Sequence, residues 1–203
     1  MNSFPLSQNE LENIYLSGSS MSEIAVNLEC SIHKVVYWMN KYGIKRRSRS
    51  EALYVKLNPK GDPFEIKKIL EPEESLLQGL GLGIYWGEGD RISKGRVCVA
   101  NTDPNLIRVF RDFLTINCRV IPSRIHYYII CFKDSKPSEV LEYWSKVLEI
   151  SEDKFGKIVQ IARQGKGTYR RKSQYGVCTI LVSNIKLKQW LMNELNKLHP
   201  SPR

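Results

Sequence analysis

Across residues 7–42 apolar side chains recur at helical spacing: Leu11, Ile14 and Tyr15, then Ile24, Ala25 and Leu28, then Val35, Trp38 and Met39. That period predicts three short helices. Gly18 among Ser17, Ser19 and Ser20 separates the first from the second. Ser20 or Ser22 is placed to cap the second, Ser31 the third, and Gly43 to end it. A fourth short helix is expected over 51–57. Asn58, Pro59, Lys60, Gly61, Asp62 and Pro63 then break the pattern, and a linker over 58–71 is expected between domains at 1–57 and 72–203.

The second domain opens with Glu71, Pro72, Glu73 and Glu74, a proline and carboxylates where a helix start favours them. Strands are expected over 96–102, 124–132, 157–162 and 175–183. Helices are expected from Asp103 through Leu114, over 138–148 with Val140, Leu141, Trp144 and Val147 inside, and over 185–198. Elements mixed in this way, largely antiparallel, define an α+β protein. Trp86, Trp144 and Trp190 read as core.

Charge is unevenly distributed. The chain has 31 Lys and Arg against 21 Asp and Glu, net +10. Residues 1–30 hold Glu10, Glu12, Glu23 and Glu29 and no base, whereas 31–60 hold eight bases against Glu51 alone. A second block, 154–192, has nine bases and no acid. Single-sign blocks of this kind point to a polyanion, nucleic acid above all.

With 42% hydrophobic and 26% charged residues, the chain can bury a core and is not a disordered tail. No run reaches the roughly 18 apolar residues of a membrane helix, and the first residues lack a signal-peptide pattern, so a cytoplasmic, nucleoid-associated protein with no membrane partner is expected. Cys30, Cys98, Cys118, Cys131 and Cys178 are odd in number and never C-x-x-C, and His33, His126 and His199 lie far apart. Disulfide and zinc frameworks have no basis. Any metal here is held by oxygen.

The run Ser22, Glu23, Ile24, Ala25 through Leu28, Ser31, Val35 and Trp38 resembles the helix-turn-helix of resolvases and many bacterial regulators, with Glu29 where such turns usually carry Gly. The resemblance puts Ser31, Ile32, His33, Lys34 and Tyr37 at base edges in the major groove, with Val35 and Trp38 buried. Lys45, Arg46, Arg47 and Arg49 then form a basic arm on phosphates or in the minor groove. A three-helix bundle that binds no DNA is the other reading.

Gly79, Gly83 and Gly87 recur every fourth residue on one helical face. Each internal glycine costs a helix about 1 kcal/mol relative to alanine, which implies a compensating close approach of another backbone. A dinucleotide G-x-G-x-x-G fails because its third position is Ile84 or Trp86, a Walker loop lacks its Gly-Lys-Ser/Thr end, and the Gly83-Ile84-Tyr85 of a GIY-YIG nuclease lacks its second tripeptide. A tightly packed structural helix remains open.

The nine residues Gly81-Leu82-Gly83-Ile84-Tyr85-Trp86-Gly87-Glu88-Gly89 resemble the signature of the LAGLIDADG homing endonucleases. Arg96 through Ile107 and Lys166 through Thr179 resemble a bacterial and phage branch of that group, and the likeness covers about residues 72–198. It implies a LAGLIDADG-like mixed α/β domain with an antiparallel saddle sheet, ordinarily α-β-β-α-β-β-α, which requires a hidden strand near 90–93. It also implies a homodimer pairing through Gly79, Gly83 and Gly87, and double-stranded DNA as substrate. Mg²⁺ or another divalent cation would sit at Glu88, with Asp90 a second catalytic carboxylate. The family's basic residue near the metals has Lys157 and Lys166 as candidates. A basic hairpin over 157–183 would carry Lys166, Arg170, Arg171 and Lys172 to phosphates. The same scaffold without cleavage would be a transcription regulator.

Overall fold

The computed structural model describes residues 4–162 and 173–198. It contains two compact units, Met1–Asp62 and Pro63–Arg203, and its class is α+β, with eight α-helices and a four-stranded mixed sheet among the described residues.

The first unit is helical: α1 (Gln8–Leu16), α2 (Met21–Asn27), α3 (Ile32–Lys41) and α4 (Arg49–Leu57). Three starts carry the same S-x-x-E sequence, Ser7/Glu10, Ser20/Glu23 and Ser48/Glu51, and each closes a reciprocal capping box. These boxes satisfy backbone donors that a helix start leaves orphaned. Ser31 caps α3 by accepting from the Lys34 amide. Glu29 takes the α2–α3 turn at φ 48°, in the left-handed region, and Gly43 ends α3 at φ 71°. Leu11, Ile24, Val35 and Met39 form the core. Trp38, expected in that core, is half-buried and stacks on Phe4 at 5.5 Å. Helix α4 buries no residue.

In the second unit α5 (Pro72–Glu88) leads to β1 (Val97–Asn101) and α6 (Pro104–Asp112), which continues as a π-helical turn at Phe113–Asn117. There follow β2 (His126–Phe132), α7 (Pro137–Leu148), β3 (Val159–Ile161), β4 (Val177–Val182) and α8 (Ile185–Leu198). Residues 63–67, expected in the linker, are bonded to this unit: Glu65 and Lys67 donate their amides to Cys118 and Asn117, and Ile121 donates to Pro63.

The sheet order is β1-β4-β2-β3. β4 pairs antiparallel with β1 and with β2, but β2 and β3 are parallel, so the sheet is largely antiparallel, as expected, while the antiparallel saddle that the resemblance implies is corrected at the β2–β3 pair. The cause is α7, a helical crossover that returns the chain parallel to the strand it left. The expected hairpin over 157–183 is likewise not formed, because β2 lies between β3 and β4. Near 90–93 there is no full strand, only a Gly89–Val99 bridge.

One face of the sheet is apolar and covered. Val97, Val99, Tyr127, Ile129, Ile180 and Val182 join one core with Phe110, Phe113, Trp144 and Leu191 of the helical layer. Alternation turns Ala100, Tyr128 and Ile130 outward. None of the four strands contains Lys or Arg on either face. Among the described residues, no helix is long and apolar enough to cross a membrane.

Candidate active site and nucleic-acid interface

Helix α5 has two unlike faces. Gly81, Leu82 and Tyr85 are buried, and Gly81 is the glycine that packing requires, since a Cβ there would meet the Phe113 side chain at 2.1 Å. Gly79, Gly83 and Gly87 face open space: among the described residues an added Cβ would have no atom within 4 Å apart from its chain neighbours and the helix's own backbone. Leu76 at 65% and Leu80 at 47% exposure share this open side. Trp86, read as core, is 47% exposed next to Gly83 and Gly87. Of the three tryptophans so read, Trp144 alone is fully buried.

Glu88 is the last residue of α5 and is exposed. Its carboxylate takes part in no hydrogen bond or ion pair among the described residues, at the end of the helix where the macrodipole disfavours an anion. Asp90 is differently placed. Its carboxylate accepts from the amides of Ile92 and Ser93, both at 3.1 Å, and from Arg96 Nε at 3.0 Å. The Ser93 amide foremost, with Arg96 and Ile92, holds that carboxyl below its ordinary range. Asp90 is a turn-forming acid, which leaves Glu88 as the open one.

Under this turn lies a residue that the spacing arguments passed over. Lys188 of α8 is 3% exposed and donates to the Tyr85 hydroxyl at 2.6 Å and to the Asp90 carbonyl. Tyr85 donates to the same carbonyl at 2.9 Å. Burial pushes the ammonium's pKa down, and burial pushes the Tyr85 phenol up. The legible signal was a lysine in register with Leu191 and Leu195, on the inward stripe of α8. Lys157, a candidate for this place, is exposed beside β3, at the opposite edge of the sheet from β1 and the Gly89 bridge. Lys166, Arg170, Arg171 and Lys172 lie outside the described residues.

In the first unit Ser31, His33 and Tyr37 are exposed along α3 and Lys34 is partly so. Lys45, Arg46 and Arg49 are exposed after it. Lys45 and Arg46 border an open hollow of about 640 Å³ that Met21, Arg47, Ser48 and Glu51 also line. Arg47 departs from its neighbours. Its amide donates to the Tyr15 hydroxyl at 2.9 Å, and its guanidinium donates to the Tyr15 carbonyl, to Ser19 at 3.2 Å and to Gly18. The guanidinium also lies 4.2 Å from the Tyr15 ring centre. It ties the segment after α3 to the α1–α2 turn, a role the charge count could not separate from phosphate binding.

Among the described residues no three His, Cys, Asp or Glu side chains gather into a metal site. The end of α5 offers one open carboxylate, Glu88, and a hard divalent cation fits this donor chemistry only when a second source of oxygen ligands comes alongside. No family model matches this chain, and no match was found among curated proteins or solved structures.

Proposed function

We infer that this protein is a site-specific, divalent-metal-dependent DNA endonuclease of the LAGLIDADG kind, acting as a homodimer, with a helix-turn-helix unit that adds sequence contacts. The observation that carries the reading is the open Gly79, Gly83 and Gly87 face of α5, ending in a Glu88 that is exposed and makes no ion pair among the described residues. A glycine face exposed beside Leu76 and Leu80 lacks the contact that would justify its helical penalty. A second copy of the same face supplies it and makes an isologous, two-fold contact.

In that pair two Glu88 carboxylates approach one another. Their repulsion and the unfavourable macrodipole are both relieved by cations. Glu88 of each copy would help to hold a divalent cation such as Mg²⁺, which when bound would supply Lewis acidity at the scissile phosphate and activate water. The chain's own residues do the rest: α5 fixes where the carboxylate stands, and α3 with Lys45, Arg46 and Arg49 holds the duplex by base edges and phosphates. The reach of Lys166, Arg170, Arg171 and Lys172 belongs to the same proposal. A dimer of this symmetry reads a near-palindromic site.

A second reading, a DNA-binding regulator without cleavage, is favoured by the engagement of Asp90 in its own turn, which leaves Glu88 as the single open acid at the end of α5. The test is strand cleavage in a randomised duplex pool with Mg²⁺ and with EDTA. New ends that require Mg²⁺ support the nuclease. Intact duplexes despite sequence-selective retention select the regulator.

A further inference from the structure

The geometry points to Lys188 as the positioning residue of the acidic end of α5, an assignment that rests on the nuclease reading of Glu88. A buried ammonium ordinarily has a carboxylate partner, because an unpaired charge in an apolar interior is strongly disfavoured. Among the described residues Lys188 has none: its partners are the Tyr85 hydroxyl, the Asp90 carbonyl and the Tyr85 ring face, 5.1 Å from its nitrogen to the ring centre. A core position needing only volume would be met by leucine or methionine at no charge penalty.

The two groups it holds bracket Glu88, Tyr85 one helical turn before and Asp90 two residues after. Between them the chain leaves the helix directly over Tyr85. Gly89 donates to the Tyr85 carbonyl at 3.0 Å, and a Cβ on Gly89 would lie 2.3 Å from that oxygen. The Asp90 amide then enters the sheet by donating to Cys98 at 2.9 Å. A cation at this point also opposes the negative end of the α5 macrodipole. Lys188 is itself fixed near the start of α8, where its amide donates to the Asn184 carbonyl and the Asn184 side chain caps Leu187. Lys188 thus couples the first turn of α8 to the last turn of α5 and sets the backbone from which Glu88 projects.

The test compares wild-type full-length chain with Lys188→Met, and with Tyr85→Phe in case the first variant does not fold. Two readouts are taken: amide hydrogen exchange at Gly89 and Asp90 against Ile180 and Leu181 in the sheet, and kcat and KM for Mg²⁺-dependent cleavage. The expected result is exchange at Gly89 and Asp90 faster by about tenfold or more with the sheet amides unchanged. With it goes a kcat lowered by about a hundredfold at near-constant KM, as for a misplaced reacting group. Unchanged exchange at Gly89 and Asp90, or exchange quickened equally throughout the sheet, overturns the assignment. If the wild type cuts no DNA the nuclease reading fails by itself, and the exchange comparison still decides whether Lys188 holds the turn.

Discussion

Gly81 and Phe113 are packed so closely that a Cβ on the glycine would come within 2.1 Å of the ring, while Gly79 and Gly83, two residues to either side, face open space. One helix therefore carries glycines with opposite requirements. Gly81→Ala should lower stability by on the order of 3 kcal/mol, because the Phe113 ring must shift out of a filled core. Gly79→Ala should raise the stability of the isolated chain by up to about 1 kcal/mol through helix propensity. Urea denaturation of the two variants checks both signs.

Substituting the open face should act on association instead. Gly83→Leu is expected to leave the fold intact and to abolish the dimer, read as a halved mass in sedimentation equilibrium. A dimer that persists unchanged would show that this face is not the contact.

The basic arm divides in the same way. Arg47→Ala removes bonds to three carbonyls and should lower stability by about 2 kcal/mol, since bonds from a charged donor are the stronger ones. Lys45→Ala, Arg46→Ala and Arg49→Ala should leave the melting temperature nearly unchanged. Each that touches a phosphate should flatten the slope of log affinity against log salt by about 0.9. Binding isotherms over a salt series, beside melting curves, separate the two behaviours.

Stability should fall at both ends of the pH range. Burial raises the Cys178 thiol from 9.0 to about 12 and the Tyr127 phenol from 10.0 to about 12. Both groups are protonated in folded and unfolded chains at neutral pH. As pH rises past the unfolded values, the unfolded chain loses these protons first and is favoured, by about 1.4 kcal/mol per pH unit per group. On the acid side Glu10, Glu23 and Glu51 are held below 4.5, Glu10 foremost by the Ser7 hydroxyl, the others by the Ser20 and Ser48 amides. Their contribution is complete above pH 4.5 and is lost as pH falls. Melting temperatures from pH 3 to 11 check this, and Cys178→Val should reduce the alkaline slope.

How far the letters reached follows from which interactions are local. The caps at Ser7, Ser20, Ser31 and Ser48 involve residues three apart, so both partners stand in one window of sequence. Helical periods and strand alternation are local in the same sense, and the α+β class with most element positions could be read from them. The sheet order could not, because whether β3 turns back on β4 or lies beyond β2 depends on partners tens of residues apart. Arg47 and Lys188 fall in basic blocks whose letters do not show what engages them, because their partners, Tyr15 and Tyr85, are distant in sequence. The π-helical turn at Phe113–Asn117 had no letter-level signal. Glu88 is legible because it ends a helix that carries no charge from Ser75 to Gly87, and among the described residues it is exposed and makes no hydrogen bond or ion pair.

The central claim is that two Glu88 side chains, brought together along the glycine faces, cut DNA. The most direct measurement is single-turnover cleavage, with Mg²⁺, of a duplex enriched by binding to the wild-type chain, comparing wild type with Glu88→Gln. The account predicts Mg²⁺-dependent double-strand breaks by the wild type. It predicts cleavage by Glu88→Gln lower by about a thousandfold or more, with duplex affinity nearly unchanged. Equal cleavage by both, or none by the wild type on a duplex that it binds selectively, would contradict it.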